Sequence, residues 1–348
     1  MSADPALGFW LRYVEREGGL WEERGDVSLA VLPPSLSSLG LPETILATAD
    51  PEAAREDGAQ LLGPGHPALD HATDDVLERG DAGWTYVPWP GSSRPAISTL
   101  QARARDCVAL ERGRLDVVPP LSACYAPLLR AGALATYTLS PDQRIQERLE
   151  TWVDARNGLC LGVRVRQVLE GCSRLSEPDS PNPRLRAAPE TAVAGAHATL
   201  QRWAAARLSG YARHAGSARE RERACATAYF AAALDTLTRR RASASGDRQE
   251  ALDGQVEATR AERARRLQEI DEAYQPGVEL RPFRLHLVSV PALRVCARVR
   301  LGAVTHDLPL VWLLAPLAGF APAPCPACGA AEPLVAARAG LGCRGCRR

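Results

Sequence analysis

The chain ends in a doubled cysteine motif, and no other stretch limits its folding so tightly. Cys325-Pro-Ala-Cys328-Gly comes first, and fourteen residues separate Cys328 from Cys343-Arg-Gly-Cys346. Two Cys-x-x-Cys knuckles at this separation point to a zinc ribbon. Each knuckle turns two thiolates toward one point, and two knuckles complete a tetrahedral shell with Zn–S bonds of about 2.3 Å. Gly329 and Gly345 suit tight turns, where positive φ costs little. Between the knuckles, Pro333 to Arg338 predicts one strand and Ala339-Gly340 a turn. A piece this small buries too little apolar surface to fold unaided, so the metal would supply the folding energy. Cysteine fills all four positions (Cys325, Cys328, Cys343 and Cys346), so the expected site is closed and structural, with Zn²⁺ as its ion. The competing reading is a redox dithiol or a disulfide pair.

Composition limits the rest. The 348 residues suffice for two or three domains with real cores, and the apolar share of 46% is ordinary. Lysine is absent: all 42 basic residues are arginine. A Walker A loop needs its lysine on the phosphates, and Schiff-base or pyridoxal chemistry needs a lysine amine, so these classes are excluded. Net charge is +1, unevenly spread. Residues 1–90 hold sixteen acidic residues against five arginines, or −11, which leaves +12 for the remainder. Mutual docking or an anionic partner for the basic part would explain the asymmetry, and so would a solvated acidic surface.

Six further cysteines (Cys107, Cys124, Cys160, Cys172, Cys225 and Cys296) are scattered, as buried thiols in a reducing compartment would be. No charged-then-apolar leader opens the sequence, and the run Leu308 to Phe320 is short and holds Pro309 and Pro316. The expectation is a cytoplasmic protein that no membrane holds.

In chain order, Phe9 to Val14 reads as an amphipathic helix, and Leu20-Trp21 with Val27 to Leu32 as a strand pair. Ser35 to Leu39 predicts a short helix, closed by Gly40. Thr44 to Thr48 predicts a strand, and Asp50-Pro51 and His66-Pro67 each open a helix. His66, His71, Asp74 and Asp75 suggest a metal group, but a five-residue spacing does not align on a helix face as i,i+4 does. A capping histidine beside an acidic solvent face is the simpler reading. Trp84 to Gly91 could cradle a base or a peptide, although such loops more often pack on their own domain. Residues 97–112 predict one arginine-rich helix.

Leu129 to Leu139, Gln146 to Asp154 and Leu159 to Val168 read as a three-stranded meander, with Pro141-Asp142 and Asn157-Gly158 as its turns. A Pro-rich loop follows to Pro189. Glu190 to about Arg241 and Asp247 to Tyr274 predict two long helices joined at Ala242 to Gly246, an antiparallel coiled-coil hairpin. Val193, Leu200, Ala204, Leu208 and Tyr211 mark the first stripe, and Leu252, Val256, Leu267, Ile270 and Tyr274 the second. Strands return at Leu280 to Val290, Ala292 to Leu301 and Val304 to Leu314. Either one β-rich domain is interrupted by the hairpin, or two small β units flank it. Ala321-Pro-Ala-Pro324 predicts a stiff spacer.

The fold class expected is therefore α+β and multidomain. It comprises an acidic α/β domain (1–123), a β meander with its Pro-rich loop (124–188), a helical hairpin (189–277), a β return (278–320) and a zinc ribbon (321–348).

Three features carry a family resemblance. Gly65-His66-Pro67-Ala-Leu-Asp70 opens a helix after an α/β stretch. A β region then leads into a long hairpin with Glu269-Ile-Asp-Glu-Ala-Tyr274 near its end, and strands return at Leu280 to Leu301. Over roughly residues 20–300 this layout resembles the C-terminal, non-ATPase region of bacterial RapA-type proteins, the helicase-like ATPases associated with RNA polymerase. The ATPase lobes are missing, so no catalytic residue transfers, and a zinc ribbon stands where the family continues differently. The resemblance implies a non-enzymatic accessory protein partnered by a helicase-like ATPase or RNA polymerase. Nucleic acid would be an additional ligand for clusters such as Arg239-Arg-Arg241 and Arg347-Arg348. A structural scaffold using the hairpin and a metal-dependent hydrolase or nuclease remain as alternatives. The sequence holds no H-E-x-x-H, G-x-S-x-G or Gly-rich phosphate loop.

Overall fold

The computed structural model describes residues 4–37, 42–91, 94–140, 142–330, 334–337 and 340–347. The chain divides into two compact units, Met1–Gly80 and Asp81–Arg348. The first holds β1 (Leu20–Arg24), β2 (Val27–Val31), β3 (Thr44–Thr48) and β4 (Gln60–Leu61) in one sheet in that order. Its helices are α1 (Pro5–Arg16), α2 (Pro34–Ser37), α3 (Pro51–Glu56) and α4 (Pro67–Arg79). Local capping starts three of them: Asp4, Asp50 and His66 each accept a backbone N–H from the first turn of the helix that follows, with proline at the opening positions. Leu7, Trp10, Leu11 and Val14 from α1 meet Ile45, Leu62, Leu69 and Ala72 in one buried cluster. The read strand pair, the strand at Thr44 to Thr48 and the helices at Pro51 and Pro67 all stand where their periodicity and caps put them. Leu39 and Gly40, the expected end of the short helix, lie outside the described residues.

Two very long strands organise the second unit. β7 (Arg114–Ser140) runs antiparallel to β9 (Gly277–Leu301), from Arg114 opposite Arg300 to Thr138 opposite Gly277. β8 (Gln143–Asp154) extends the sheet beyond β7. On the other edge of β9, β5 (Asp81–Tyr86) pairs in parallel with its first half, and β10 (Val304–Leu313) pairs antiparallel with its second half. β11 (Gly319–Phe320) closes that side. A separate small sheet holds β6 (Val108–Leu110), β12 (Leu334–Ala337) and β13 (Gly340–Gly342).

The large sheet is covered on both faces. One end of one face packs on α5 (Ile97–Cys107) through Leu100, Ala104, Leu115, Leu293 and Leu310. α6 (Val163–Glu170) buries Leu169 against Leu128, Trp152 and Val290. α7 (Pro189–Ala242) lays Ala192, Ala196, Leu200 and Ala204 on Leu129 to Leu139 of β7, and Tyr211 meets Tyr137 at 5.1 Å between ring centroids. The helix comes so close that a Cβ on Gly195 would collide with the carbonyl of Gly158, itself at φ 72°. α8 (Asp247–Ala273) then returns along the distal half of α7, burying Leu252, Val256 and Ile270. Arg266 reaches Glu222 at 2.9 Å, and Arg223 pairs with Asp271.

Several expectations are corrected here. The boundary at residue 123 falls inside β7. Residues 81–123 join the second unit because β5 finds its ladder on β9, a partner far downstream that no local pattern announces. The separate β units of 124–188 and 278–320 are one sheet. The break read at Pro291 does not interrupt β9: the Pro291 carbonyl faces the gap between β5 and β10, where it accepts from Leu314 N at 2.9 Å. The missing N–H therefore falls where no ladder bond is needed. The third meander strand, 159–168, is α6 preceded by one bridge from Cys160 to Val153. Val165, Val168 and Leu169 sit at helical spacing and face Trp152, which outweighs the Val163-Arg-Val-Arg166 alternation. The helix of 97–112 stops at Cys107. The first stripe of α7 runs through Ala192 and Ala196, and Val193 is exposed.

A charge network ties β7, β8 and β9 together. Glu150, 2% exposed, accepts from Arg130 at 2.8 Å, Arg148 at 2.8 Å and Arg284 at 3.2 Å. Burial alone would raise its pKa, but the Arg130 hydrogen bond and the three guanidinium charges hold it below the usual carboxylate range. A depressed folded pKa contributes stability above the unfolded value of about 4.3 and loses it as pH falls. Glu150→Gln should therefore lower the thermal midpoint at pH 7 and flatten its decline between about pH 5 and pH 3. Glu150→Ala should cost about 3–5 kcal/mol, read by chemical denaturation, because three guanidiniums lose their common acceptor.

The hairpin is only partly an excursion. Leu200→Ala should cost about 2–5 kcal/mol, since Leu200 is a buried core side chain. Replacing 227–267 with a short Gly-Ser turn should leave cooperative unfolding intact, because no side chain of that segment belongs to the clusters that pack the sheet. A non-cooperative melt of the shortened chain would show that the distal arm supports the core.

Candidate metal centre

The ribbon begins where Ala321 N donates to Val311 O at 2.9 Å, so the Ala321 to Pro324 segment is pinned to the sheet edge at its start. The first knuckle closes through Cys325 N to Ala330 O (3.0 Å) and Gly329 N to Cys325 O (2.8 Å), with Gly329 at φ 73°. β12 pairs with β13 as the predicted hairpin, and the second knuckle ends in a short 3₁₀ turn at Gly345–Arg347. The turn residue Ala339 and the strand ends Pro333 and Arg338 lie outside the described residues.

These turns bring together Cys325, Cys328, Cys343 and Cys346. All four Sγ atoms lie within 4.8 Å of one another. A tetrahedral shell with bonds of about 2.3 Å needs sulfurs about 3.8 Å apart. Cys328 and Cys343 stand at 3.6 Å, far beyond a disulfide of about 2.05 Å. Cys343 N donates to Cys325 Sγ at 3.2 Å, and this bond leads the effects that pull the Cys325 thiol down to about 6. The Cys346 thiol is pushed up to about 12, first by its contacts with the Cys328 and Cys343 sulfurs. Four sulfurs this close cannot all ionise without a cation among them. The quartet can hold a metal ion, and a bound cation would favour every thiolate. Cys325 and Cys343 are buried, while Cys328 and Cys346 face solvent.

The ribbon is not the self-contained piece that its length suggested. β12 runs parallel to β6, with Leu334 opposite Val108 and Ala336 opposite Leu110. Cys325, Cys343, Leu334 and Ala336 share the buried cluster of Leu100, Ala104 and Leu310. A metal bound here and the body would therefore stabilise each other. The partner strand was missed because Val108-Ala-Leu110 is three residues long and follows a helical pattern.

Of the first-unit candidates, His66 and Asp75 have structural roles. His66 caps α4, its Nδ1 accepting from Ala68 N at 3.2 Å, and Asp75 accepts from the Tyr13 hydroxyl at 3.1 Å. Among the described residues the cysteine quartet is the only group of three or more metal-type side chains gathered at one point. The Trp84 to Trp89 stretch packs on its own unit. Trp84 Nε1 donates to Ser289 Oγ at 3.0 Å, Trp89 meets Tyr125 edge-on, and Arg184 lies over Trp84 at 5.1 Å. Asp179 accepts from Tyr125 and from Trp89 N, stitching the Pro-rich loop into place. In the arginine cluster of α7, Arg239 pairs with Asp235 and Arg241 with Asp253. The Arg347 side chain and Arg348 lie outside the described residues. No helix among the described residues is long and apolar enough to cross a membrane.

No family model and no curated protein matches the sequence.

Elemental analysis of the purified chain should return about one metal ion per molecule, lost in the Cys343→Ser, Cys346→Ser double variant. Because the ribbon shares its core with α5 and β10, chelation should also lower the thermal midpoint of the whole second unit. A metal-free protein with reduced thiols and an unchanged melt would contradict the site.

Proposed function

We propose that this chain is a non-enzymatic accessory binding protein that works beside a nucleic-acid machine, a helicase-like ATPase or RNA polymerase. Its metal is Zn²⁺, in a structural role. An all-cysteine donor set is soft, suits tetrahedral zinc and leaves no open position for a reacting ligand.

The observation that carries the binding role is the helical arm. α8 spans 27 residues, about 40 Å at 1.5 Å per residue, and packs chiefly on the distal half of α7. α7 itself continues into the core through Ala192 to Ala204. A rigid arm rooted in a sheet is well suited to reaching a partner and poorly suited to catalysis. The resemblance to RapA-type proteins agrees with this use. Affinity capture from the native host with the full chain should enrich such a machine, and the arm-shortened chain (227–267 replaced) should lose it. Equal capture by both chains would exclude the arm as the contact.

Tyr229 favours a second reading, assembly through the arm. Its ring is 70% exposed beside Phe230 and a cleft of about 410 Å³ lined by Cys225, Ala226 and Ile270. Light scattering should then report a defined oligomer that Tyr229→Glu dissociates.

A further inference from the structure

The two ends of one sheet face differ. Cys124, Ala126 and Leu128 point into a cluster closed by Leu161, Leu169 and Leu185. Further along the same face the cover stops. Here Ser122 stands opposite Arg294 across β7 and β9, and Cys296 opposite Pro309 across β9 and β10. The β7–β9 register breaks between Val118 and Ser122, which frees Pro119, Pro120 and Leu121 from the ladder. The result is an open groove of about 620 Å³, within the range of small-molecule sites, about 300–1,000 Å³.

Three arginines line this groove, Arg156, Arg186 and Arg294. Arg156 is committed to Asp154, its Nε donating to Oδ1 at 2.9 Å. Arg186 and Arg294 have no carboxylate partner among the described residues. The single carboxylate on the groove, Asp307, already accepts two hydrogen bonds from Arg298, at 2.8 and 3.1 Å. Two positive charges therefore stand uncompensated. Burial raises the pKa of the Cys124 thiol, and the charges of Arg294 and Arg156, with a hydrogen bond from Arg294, act against that rise. Leu185, Pro309 and Val311 line the same groove.

Two arginines on one groove without a carboxylate partner suit a group with several anionic oxygens on one centre, which a phosphate supplies. An apolar floor beside them suits a flat ring. We propose that this groove binds a nucleotide unit, with its phosphate on Arg186 and Arg294 and its base over Leu185, Pro309 and Val311. The nucleotide is either free or one residue of a single strand. The inference deepens the proposed function, on which it rests for the nucleic-acid source.

The test uses the full chain, with fluorescence anisotropy on labelled dT and rU oligonucleotides and thermal shift with AMP, UMP and inorganic phosphate. At low salt, Arg186→Glu, Arg294→Glu should weaken the binding ligand at least tenfold, with the melt otherwise unchanged. Arg186→Ala, Arg294→Gln serves if charge reversal disturbs folding. Arg55→Glu, exposed on α3 of the first unit, should leave affinity unaltered. Oligonucleotide binding with silent mononucleotides assigns a strand; the reverse assigns a free nucleotide. The proposal is overturned if neither binds, if the groove variants bind as the parent does, or if phosphate alone matches the mononucleotides. Affinity capture reads the protein partner by a different contact, so failure there leaves the groove test standing, and the converse holds.

Discussion

The pairing of β7 with β9 is the constraint on which the second unit depends. It joins residues 114–138 to residues 277–300 across the whole intervening chain. Contacts at such separation are slow to form, because loop closure precedes any reward. The hairpin lessens that difficulty. α7 and α8 are local elements, and the α8 end at Ala273 lies just before the start of β9 at Gly277. With α7 seated on β7 and α8 folded back along it, the start of β9 is delivered to the end of β7. The insertion is thus a guide for strand pairing as well as an arm.

The legible parts of the chain were those with a short-range cause. Caps and prolines at Asp50-Pro51 and His66-Pro67 set helix starts, the Ser-Gly break at 243–246 set the hairpin tip, and the cysteine spacing set the metal quartet. What the sequence concealed was long-range. β5 and β6 are short strands whose partners lie far downstream, so neither has a local signature. α6 was hidden by two arginines that alternate with valines, until Trp152 supplied the apolar surface that decides its conformation. Pro291 looked like a strand end because its tolerance depends on a gap between two other strands.

Coupling between the ribbon and the body changes what a metal on the cysteine quartet would do. In a free ribbon, metal binding is the folding energy of that piece alone. Here Cys325 and Cys343 are walls of the cluster that also buries Leu100, Leu310 and Trp312. Binding to the native state alone stabilises it by mass action. The benefit of a bound ion would therefore extend to α5 and β10 through the parallel β6–β12 ladder. The small sheet is where the two ends of the second unit are joined.

The arginines at the hairpin tip have a local explanation that narrows where a partner would bind. Arg239, Arg240 and Arg241 occupy the last turn of α7, where cations favour the exposed carbonyls, and Asp247 and Glu250 occupy the first turn of α8. Two of the three arginines are also held by Asp235 and Asp253. The tip is thus electrostatically satisfied by its own helix ends. The sides of the arm are different: Tyr229 is exposed there with no buried position to fill. On the proposed reading, a protein partner would meet the flank of the arm around Tyr229 and Phe230, and a phosphate would meet the groove where Arg186 and Arg294 have no carboxylate partner. If both proposals hold, a protein on the arm and a nucleotide on the groove would not compete for the same arginines.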